Sequence, residues 1–449
     1  MSPEADWRSR RLHFVGIGGA GMSGWASVAQ QLGASVSGSD EAESVTLEAL
    51  RAAGIDAYAG HDASRLPPGE DVEVVRSSAI PDANPELEEA RERGLKVMER
   101  AELLAELTAL RRTIAVAGAH GKTTTSSIVA HVLIETGHDP GYLIGGQLRS
   151  SGRNADWGSG EWLVVEADES DRSFLSLEAE LAIVTNIELD HHANYASLAE
   201  LREVFRSFLE GPDCAVLQDR PEVIELRGDR PLVAFKVEEL SLGAEGSKFV
   251  WRGEQVQLSL PGAHNAANAV AALEAALLAG VAPADGARAI ASFTGSGRRF
   301  ERLGLSEQGA LIIDDYAHHP TEVAATIAAA RTLEPKRLVA LFQPHLFSRT
   351  ERLAGQFGTA LAEADLVVVT GVYRSRERAE DFPGIDGKLI ATAAADAGGG
   401  REVCWAPTLD EAREVLSQRL RPDDICLVLG AGDVRSVGEH LAVEPFTAD

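Results

Sequence analysis

Short runs of β-branched residues alternate with longer runs rich in Ala and Leu along almost the whole chain. Runs of the first kind suit buried strands and runs of the second kind suit helices, so the alternation predicts parallel strands joined by crossover helices. We therefore predict an α/β fold, with sheets covered by helices. With 449 residues the chain has room for about three such domains.

We divide the chain into three α/β regions, residues 1–109, 110–302 and 303–449. The first boundary follows the helical pattern of residues 101–110, because the charged pair Arg111 and Arg112 precedes a new buried strand at residues 113–117. The second boundary follows a Gly-rich connector, after which apolar strands are predicted at residues 311–313, 338–342, 366–369 and 425–429.

The charge balance and the cysteines exclude several classes of function. Acidic residues outnumber basic ones 69 to 42, a formal charge of −27, so the field of the chain repels nucleic acids and anionic membrane surfaces. No segment approaches the ~18 apolar residues that would span a bilayer. The only cysteines, Cys214, Cys404 and Cys426, lie far apart, which predicts neither a disulfide framework nor a thiolate zinc site. We expect a cytoplasmic protein without nucleic-acid or membrane partners.

The first region carries a glycine-rich loop between a strand and a helix. Residues 16–21 read GxGxxG directly after the predicted strand 12–15, and Asp40 lies 19 residues beyond Gly21 at the end of the next strand. Bare N–H groups and a helix N-terminus there can hold a pyrophosphate, and the carboxylate can accept a ribose hydroxyl. This pattern predicts a Rossmann-like domain that binds a nucleotide diphosphate. The alternative is that the glycines only permit tight packing of the strand against the helix.

The second region begins with a short phosphate-binding loop. Residues 118–124, GAHGKTT, follow the predicted strand 113–117 and precede a predicted helix at residues 125–134. In such a loop Lys122 would neutralise the β- and γ-phosphates of ATP and Thr123 would bind Mg²⁺. The chain has only six lysines and uses one of them here. The alternative is an exposed lysine in a turn.

Carboxylates and histidines cluster after the next two strands of this region. Glu166, Asp168, Glu169 and Asp171 follow the apolar strand 162–165, and residues 186–192, ending in His191 and His192, follow the strand 181–185. The carboxyl ends of parallel strands meet at one sheet edge, where open α/β sheets bind ligands. A metal ion would relieve the repulsion among the acids, so Glu166 and His191 are candidate ligands. Asp168 and Asp171 could equally be solvated loop acids.

Three further segments could meet a phosphate or an acceptor. Asn265 and Asn268 lie three residues apart at the start of a predicted helix, where Asn265 could alternatively serve as a helix cap. Arg298 and Arg299 stand in the connector before the third region, either as cations for a phosphate or as an exposed pair. In the third region, polar clusters that include Asp315, His319, His345 and Arg349 follow two predicted strands. We predict that the third region is also Rossmann-like.

In their order along the chain, these motifs resemble those of the Mur ligase family. The resemblance rests on residues 16–21, 39–40, 77–80, 118–124, 166–171, 186–195, 264–268, 298–300, 314–322, 342–350 and 430–433, and so covers essentially the whole chain. It implies a first domain that binds the UDP-sugar, a central domain that binds ATP and a third domain that completes the site. It also implies that ATP phosphorylates the carboxylate of UDP-N-acetylmuramate, and that the amine of L-alanine then attacks the acyl phosphate.

The resemblance also implies roles for individual residues. Lys122, Glu166, His191 and Arg299 are expected to be catalytic, and Thr123, Glu166 and His191 to bind Mg²⁺. The residues expected to contact ATP are Gly118, Ala119, His120, Gly121, Lys122, Thr123, Thr124, Asn265, Asn268, Arg299 and Asp315. Those expected to contact the other substrates are Gly18, Gly19, Ala20, Gly21, Ser39, Asp40, Ser77, Ser78, His319, His345 and Arg349.

Two positions and one segment depart from the family pattern. Leu346 stands where the family commonly has Arg, and Ala193 where several members have Asp. Residues 186–210 contain no lysine, so the carbamoylated lysine that some members use is absent from that helix. These departures leave the amino acid open among alanine, glycine and serine.

Three other functions compete with this interpretation. A related ligase that joins a peptide to the same nucleotide sugar is the nearest of them. A nicotinamide dehydrogenase would make no use of the phosphate-binding loop and the acidic cluster. A catalytically silent UDP-sugar sensor would have no need of Lys122, Glu166 and His191. The sequence leaves the oligomeric state open.

Overall fold

The computed structural model describes residues 3–190, 194–375 and 377–445. By compactness it divides into two units. The first unit comprises residues 1–236 and 268–293, and the second comprises residues 237–267 and 294–449. The domain boundaries predicted at residues 109 and 302 stay a prediction.

The chain begins with a five-stranded parallel sheet in the first unit. Its strands have the order β3-β2-β1-β4-β5, and β1 pairs in parallel with both β2 and β4. The strands are β1 (Arg11–Val15), β2 (Ser35–Asp40), β3 (Asp56–Ala59), β4 (Val72–Arg76) and β5 (Lys96–Glu99), and the helices are α1 (Ala20–Gln31), α2 (Val45–Ala52), α3 (Pro85–Glu92) and α4 (Arg100–Thr108). Because β1 is central, the glycine-rich loop after it lies at the middle of the sheet edge.

A seven-stranded sheet follows in the same unit, with the order β12-β11-β10-β6-β9-β7-β8. All its pairs are parallel except β7 with β8. Its strands are β6 (Arg112–Ala117), β7 (Gly141–Leu148), β8 (Arg153–Asp156), β9 (Trp162–Glu166), β10 (Leu181–Val184), β11 (Cys214–Gln218) and β12 (Leu232–Phe235), with helices α5 (Lys122–Glu135), α6 (Leu198–Phe208) and α7 (Pro221–Ile224). The strands β10 and β9 flank β6, so the segments after all three meet at one edge.

The second unit contains a three-stranded antiparallel sheet and a seven-stranded mixed sheet. The small sheet is formed by β13 (Glu238–Gly243), β14 (Gly246–Trp251) and β15 (Glu254–Leu258). The unit boundary then falls within α8 (Ala263–Leu278), and α9 (Pro283–Ile290) belongs to the first unit.

The large sheet of the second unit has the order β20-β19-β18-β21-β17-β16-β22. Strand β16 runs antiparallel to its neighbours, and the other pairs are parallel. The strands are β16 (Glu301–Leu305), β17 (Leu311–Asp315), β18 (Arg337–Phe342), β19 (Leu366–Val369), β20 (Glu402–Trp405), β21 (Asp424–Leu429) and β22 (Glu444–Pro445), with helices α10 (Pro320–Arg331), α11 (Phe347–Leu361), α12 (Lys388–Ala397), α13 (Leu409–Arg419) and α14 (Arg435–Leu441). Apolar clusters cover both faces of this sheet.

One apolar core joins the two sheets of the first unit. Met22 and Trp25 of α1 belong to the same buried cluster as Leu143 of β7 and Ala155 of β8. At Gly24 of α1 an added Cβ would lie 3.1 Å from the Cβ of Ala155, so a glycine lets this helix approach the second sheet closely. The helix that begins at the glycine-rich loop therefore packs against the domain that carries the phosphate-binding loop.

The predicted α/β class is confirmed, and most central strands lie within a residue or two of their predicted places. The prediction missed short edge strands such as β3 and β5, whose residues are only partly buried and so lack a continuous apolar run. It also took the segment around residues 248–260 for a hairpin, whereas β13 adds a third, exposed strand. Among the described residues, no helix is both long and apolar enough to cross a membrane.

Candidate active site

The phosphate-binding loop between β6 and α5 is held in shape by the chain that follows β10. Asn186 accepts a hydrogen bond from His120 N (2.9 Å) through Oδ1 and donates from Nδ2 to His120 O (2.9 Å). The Thr185 hydroxyl donates to the same carbonyl at 2.6 Å. The loop is therefore fixed by the neighbouring strand before any ligand binds.

Two glycines are required for this loop. Gly118 has φ +132°, and an added Cβ would lie 2.2 Å from Thr185 Oγ1. Gly121 has φ +82° and immediately precedes α5, and an added Cβ would lie 2.5 Å from Asn268 Oδ1. Both positions thus need left-handed backbone and close approach, which only glycine supplies without strain. The second contact also places Asn268, a predicted ATP-binding residue, beside the loop.

Lys122 folds back over the loop. Its Nζ donates to Gly118 O at 2.7 Å and to both carboxylate oxygens of Glu169 at 2.9 and 3.0 Å. Burial opposes the charge of this ammonium, but the nearby carboxylates of Glu169 and Asp168 outweigh it and raise the pKa of Lys122. Lys122 is thus a fixed cation on the loop.

Glu166, the last residue of β9, lies against the start of α5. Thr123 Oγ1 donates to its two carboxylate oxygens at 2.9 and 3.1 Å, and Gly145 N on β7 donates to Oε2 at 2.7 Å. The hydroxyl and the carboxylate form a pair of oxygen ligands beside the phosphate-binding loop. Oxygen donors of this kind are those that Mg²⁺ prefers.

The acids that follow Glu166 are held by different partners. Arg100, the first residue of α4, donates from Nε to Asp171 at 2.8 Å and from Nη2 to Asp168 at 3.4 Å. Burial opposes the ionisation of Asp168, but Lys122, the Ser170 N–H and Arg100 lower the pKa of this carboxyl to about 2. Asp168 and Asp171 are therefore tied to Arg100, whereas Glu169 is only 2% exposed and faces Lys122. Glu169 is a residue that our site prediction omitted.

His191 and Ala193 lie outside the described residues, so the predicted metal-binding role of His191 stays a prediction. The described residues nearest to them in sequence are Asp190, which is buried, and Asn194, whose Nδ2 donates to Ser170 O at 2.5 Å.

The glycine-rich loop of the first sheet is also held by side chains at the strand ends. Asp40 Oδ2 accepts a hydrogen bond from Gly18 N at 2.7 Å, so this carboxylate already ties β2 to the loop. Gly19, Gly21 and Ser78 are exposed, and Ser77 is half-buried. Gly16 has φ +87°, and an added Cβ would lie 3.0 Å from Ser77 Cβ. Of the predicted UDP-sugar residues, Gly18, Gly19, Ala20, Gly21, Ser77 and Ser78 follow β1 and β4, and Ser39 and Asp40 end β2, which lies next to β1. Ser39 is fully buried.

A buried polar network supports this edge. Glu86, fully buried on α3, lies 2.8 Å from His13 Nε2, accepts from Ser39 Oγ at 2.7 Å and accepts from Asp62 N at 3.0 Å. Burial opposes the ionisation of Glu86, but the hydrogen bonds from His13 and Ser39 lower the pKa of its carboxyl. Glu86 thus fixes the hydroxyl of Ser39 at the end of β2. Nothing in the local sequence marks it for this role.

In the second unit, the predicted site residues form two groups. Asp315, at the end of β17, accepts from Phe300 N and Ala317 N, each at 2.8 Å, while burial raises the pKa of Asp315 to about 6 against the opposing charge of Arg299. The Arg299 guanidinium lies 5.1 Å from the Tyr316 ring. Asp315 thus fixes the turn on which Arg299 stands.

The other group surrounds the start of α11. Arg349 is only 5% exposed, and its Nη1 lies 3.1 Å from His345 Nδ1. Between them Leu346 adopts φ +69°, an uncommon conformation for a non-glycine residue. His319 caps α10 and Asn265 donates to Pro261 O at 2.8 Å, so both also have local structural contacts.

Comparison with known proteins identifies the family of this chain. The family model described as "Mur ligase family, catalytic domain" matches residues 11–112, "Mur ligase middle domain" matches residues 116–276, and "Mur ligase, glutamate ligase domain" matches residues 298–432. These three matches cover most of the chain. The chain therefore belongs to the Mur ligase family, and is an ATP-dependent ligase that forms amide bonds.

Individual relatives are similar over nearly the full length. UDP-N-acetylmuramate–L-alanine ligase of Halorhodospira halophila is 44% identical, covering 97% of this chain and 93% of that protein. The protein of the same name from Rubrobacter xylanophilus is 42% identical, covering 96% of this chain and 99% of that protein. The crystal structure of UDP-N-acetylmuramate-alanine ligase from Thermotoga maritima has a TM-score of 0.82 at 31% identity, covering 96% and 98%. A murein peptide ligase from Psychrobacter arcticus, at 23% identity and a TM-score of 0.71, shares the fold.

Proposed function

We propose that this chain joins L-alanine to the muramoyl carboxylate of UDP-N-acetylmuramate, using ATP, as a step in making peptidoglycan precursors. The observation that carries the proposal is the similarity of 42 to 44%, across nearly the whole chain, to proteins named for that reaction. These relatives cover 96 to 97% of this chain, so the similarity spans all three family-model regions.

The reaction takes place in two steps. A carboxylate oxygen of the muramoyl group attacks the γ-phosphorus of ATP, which forms an acyl phosphate and releases ADP. The amine of L-alanine then attacks the acyl carbon, loses a proton and expels inorganic phosphate. The first step brings two anions together, so it needs fixed cations and N–H donors to offset their repulsion.

Several residues supply what the first step requires. Lys122 is charged and fixed over the loop, where it can bind the β- and γ-phosphates. The N–H groups in the first turn of α5 can hold the phosphate oxygens. Arg299, in the second unit, is a further cation for the transferred phosphoryl group. We assign the acceptor and the amino acid to His319, His345 and Arg349, and the UDP-sugar to the sheet edge at Asp40, which the buried Ser39 supports through its hydrogen bond to Glu86.

The site beside Lys122 also fits Mg²⁺. Thr123 and Glu166 offer a hydroxyl and a carboxylate that lie 2.9 to 3.1 Å apart, and His191 is the third predicted ligand. When bound, Mg²⁺ neutralises charge on the phosphates. The proposal keeps the three regions 1–109, 110–302 and 303–449 as the UDP-sugar, ATP and ligase domains. The use of ATP and the three free cysteines favour a cytoplasmic enzyme.

The test is phosphate release from ATP with purified protein, UDP-N-acetylmuramate and Mg²⁺, in parallel with L-alanine, glycine, L-serine or a tripeptide. We expect phosphate release to be fastest with L-alanine and to need all three substrates. Faster release with the tripeptide would make the chain a peptide ligase instead. UDP-sugar binding without any release would make it a sensor. The Lys122→Ala variant serves as the control for contaminating phosphatases.

A further inference from the structure

Among the acids of residues 166–171, Glu169 is the one to which the proposed function assigns no role. Glu166 lies against Thr123, and Asp168 and Asp171 lie against Arg100. Glu169 sits between these two aspartates but points the other way, with both oxygens on Lys122 Nζ. A carboxylate that binds the ATP-binding lysine must compete with the phosphates of ATP for it.

The segment around Glu169 is fixed from outside. Arg100 binds the aspartates on either side, and Ser170 N and Ser173 N donate to Asp168 and Asp171 at 2.9 and 3.0 Å. The Tyr195 hydroxyl donates to the backbone carbonyl of Glu169 itself. With the main chain tied at these points and a side chain only 2% exposed, Glu169 has little freedom to turn away from Lys122.

All three donors of the Lys122 ammonium have protein acceptors, with Ala119 O as a more distant fourth at 3.4 Å. Gly118 O accepts at 2.7 Å, and the two Glu169 oxygens accept at 2.9 and 3.0 Å. Glu169 therefore sets where this charge stands when ATP arrives. It also places a negative charge next to the position that the β- and γ-phosphates must take.

We propose that Glu169 is a positioning residue for Lys122. Glu169 holds the Lys122 ammonium in a fixed orientation over the phosphate-binding loop, and its negative charge weakens the binding of ATP. This inference rests on the proposed function for the identity of ATP as the ligand of the loop. It predicts opposite effects on ATP affinity and on turnover. Removing the charge of Glu169 tightens ATP binding, because one negative charge is gone, and slows turnover, because Lys122 is no longer aimed.

The test compares two charge-removing variants of the same loop. Glu169→Gln keeps the shape of the side chain, and Asp171→Asn removes the same charge from an acid that contacts Arg100. We expect Glu169→Gln to tighten the Kd of Mg-ATP, measured by calorimetry without the other substrates, by about tenfold. We expect it to lower kcat by about tenfold or more. Asp171→Asn should change the Kd by less than about twofold.

Glu169→Asp provides the conservative variant. It keeps the charge but withdraws the carboxylate by one methylene, so kcat should fall while the Kd for ATP stays near that of the wild type. A thermal melt of each variant shows whether it folds, and a purely structural role for Glu169 would lower stability without tightening ATP binding.

Two results would overturn the inference: equal tightening by Glu169→Gln and Asp171→Asn, or unchanged or weaker ATP binding in Glu169→Gln. Failure of the proposed function gives a different pattern. In that case the wild-type protein binds ATP but releases no phosphate with UDP-N-acetylmuramate and L-alanine, and the comparison of ATP affinities still decides the role of Glu169.

Discussion

Gly145 on β7 tests whether the position of the Glu166 carboxylate determines Mg²⁺ use. An added Cβ at Gly145 would lie 2.7 Å from Glu166 Oε2, 2.9 Å from Oε1 and 3.0 Å from Cδ. The backbone of Gly145 is not left-handed, so alanine fits its conformation and keeps the N–H that donates to Glu166. Gly145→Ala therefore perturbs the carboxylate and little else.

The size of the displacement follows from these distances. An ordinary contact begins at 3.4 Å, so Oε2 must retreat by 3.4 − 2.7 = 0.7 Å. Glu166 ends in a flexible carboxylate, so it can move at little cost to the fold, and the methyl group restricts the unfolded chain slightly. A functional group tolerates about 0.5 Å of misplacement, and about 1 Å can cost 100-fold in rate. We expect the Mg²⁺ concentration for half-maximal phosphate release to rise about tenfold.

The assay is phosphate release as a function of Mg²⁺ concentration, beside a thermal melt. Gly243→Ala is the matched control, because Gly243 is also a strand glycine and an added Cβ there meets nothing within 4 Å. The control should match the wild type in both measurements. A Gly145→Ala protein that melts normally and keeps the wild-type Mg²⁺ dependence would refute the assignment of Glu166 as a metal ligand held by β7.

Three further substitutions probe the other parts of the site. Lys122→Ala should lower kcat by about 100-fold or more while UDP-sugar binding changes little. It should also lower the melting temperature, because the buried Glu169 loses its cation. Turnover within a few-fold of the wild type would contradict the role of the loop in binding ATP. Glu86→Ala should cost about 3–5 kcal/mol in urea unfolding, since His13 and Ser39 lose a buried partner. The folded protein lowers the pKa of Glu86, so its contribution is present above the ordinary carboxyl pKa and is lost as the pH falls through the lowered pKa of the folded state. The difference in stability from wild type should therefore shrink in acid, and a constant difference from pH 7 to pH 3 would contradict this. Arg349→Ala should raise the KM for the acceptor or for L-alanine strongly, because a charge-assisted contact is lost. Leu346→Arg should be tolerated, because Leu346 is only half-buried. Normal kinetics of Arg349→Ala together with a stable Leu346→Arg protein would show that this loop binds no anionic substrate.

The strand ends and their loops could be predicted because their signals are local. Gly118, Gly121 and Lys122 stand between an apolar strand and a helix, and that order alone indicates a phosphate-binding loop with a cation. The same is true of the glycine-rich loop after β1. Such patterns need no knowledge of the rest of the fold.

The choice between Asp168 and Glu169 could not be predicted in this way. Both are acids in the same short segment, and their neighbours in sequence do not distinguish them. Arg100, about 70 residues away in sequence, binds the first, and Lys122, 47 residues away, binds the second. Only the tertiary structure determines which acid faces the phosphate-binding loop. Gly145 is a similar case, because strand order brings β7 beside β9.

Strand β7 connects the two regions that we assign to the UDP-sugar and to ATP. Strand β7 carries Gly145, which fixes Glu166, and Leu143 of the same strand lies in the core that Trp25 of α1 completes. Helix α1 starts at the glycine-rich loop that we assign to the UDP-sugar. Arg100 adds a second connection, since its guanidinium lies 5.8 Å from the Trp25 ring and binds Asp168 and Asp171. The two edges that we assign to the UDP-sugar and to ATP are thus joined by one apolar core, so folding sets their relative position within the first unit.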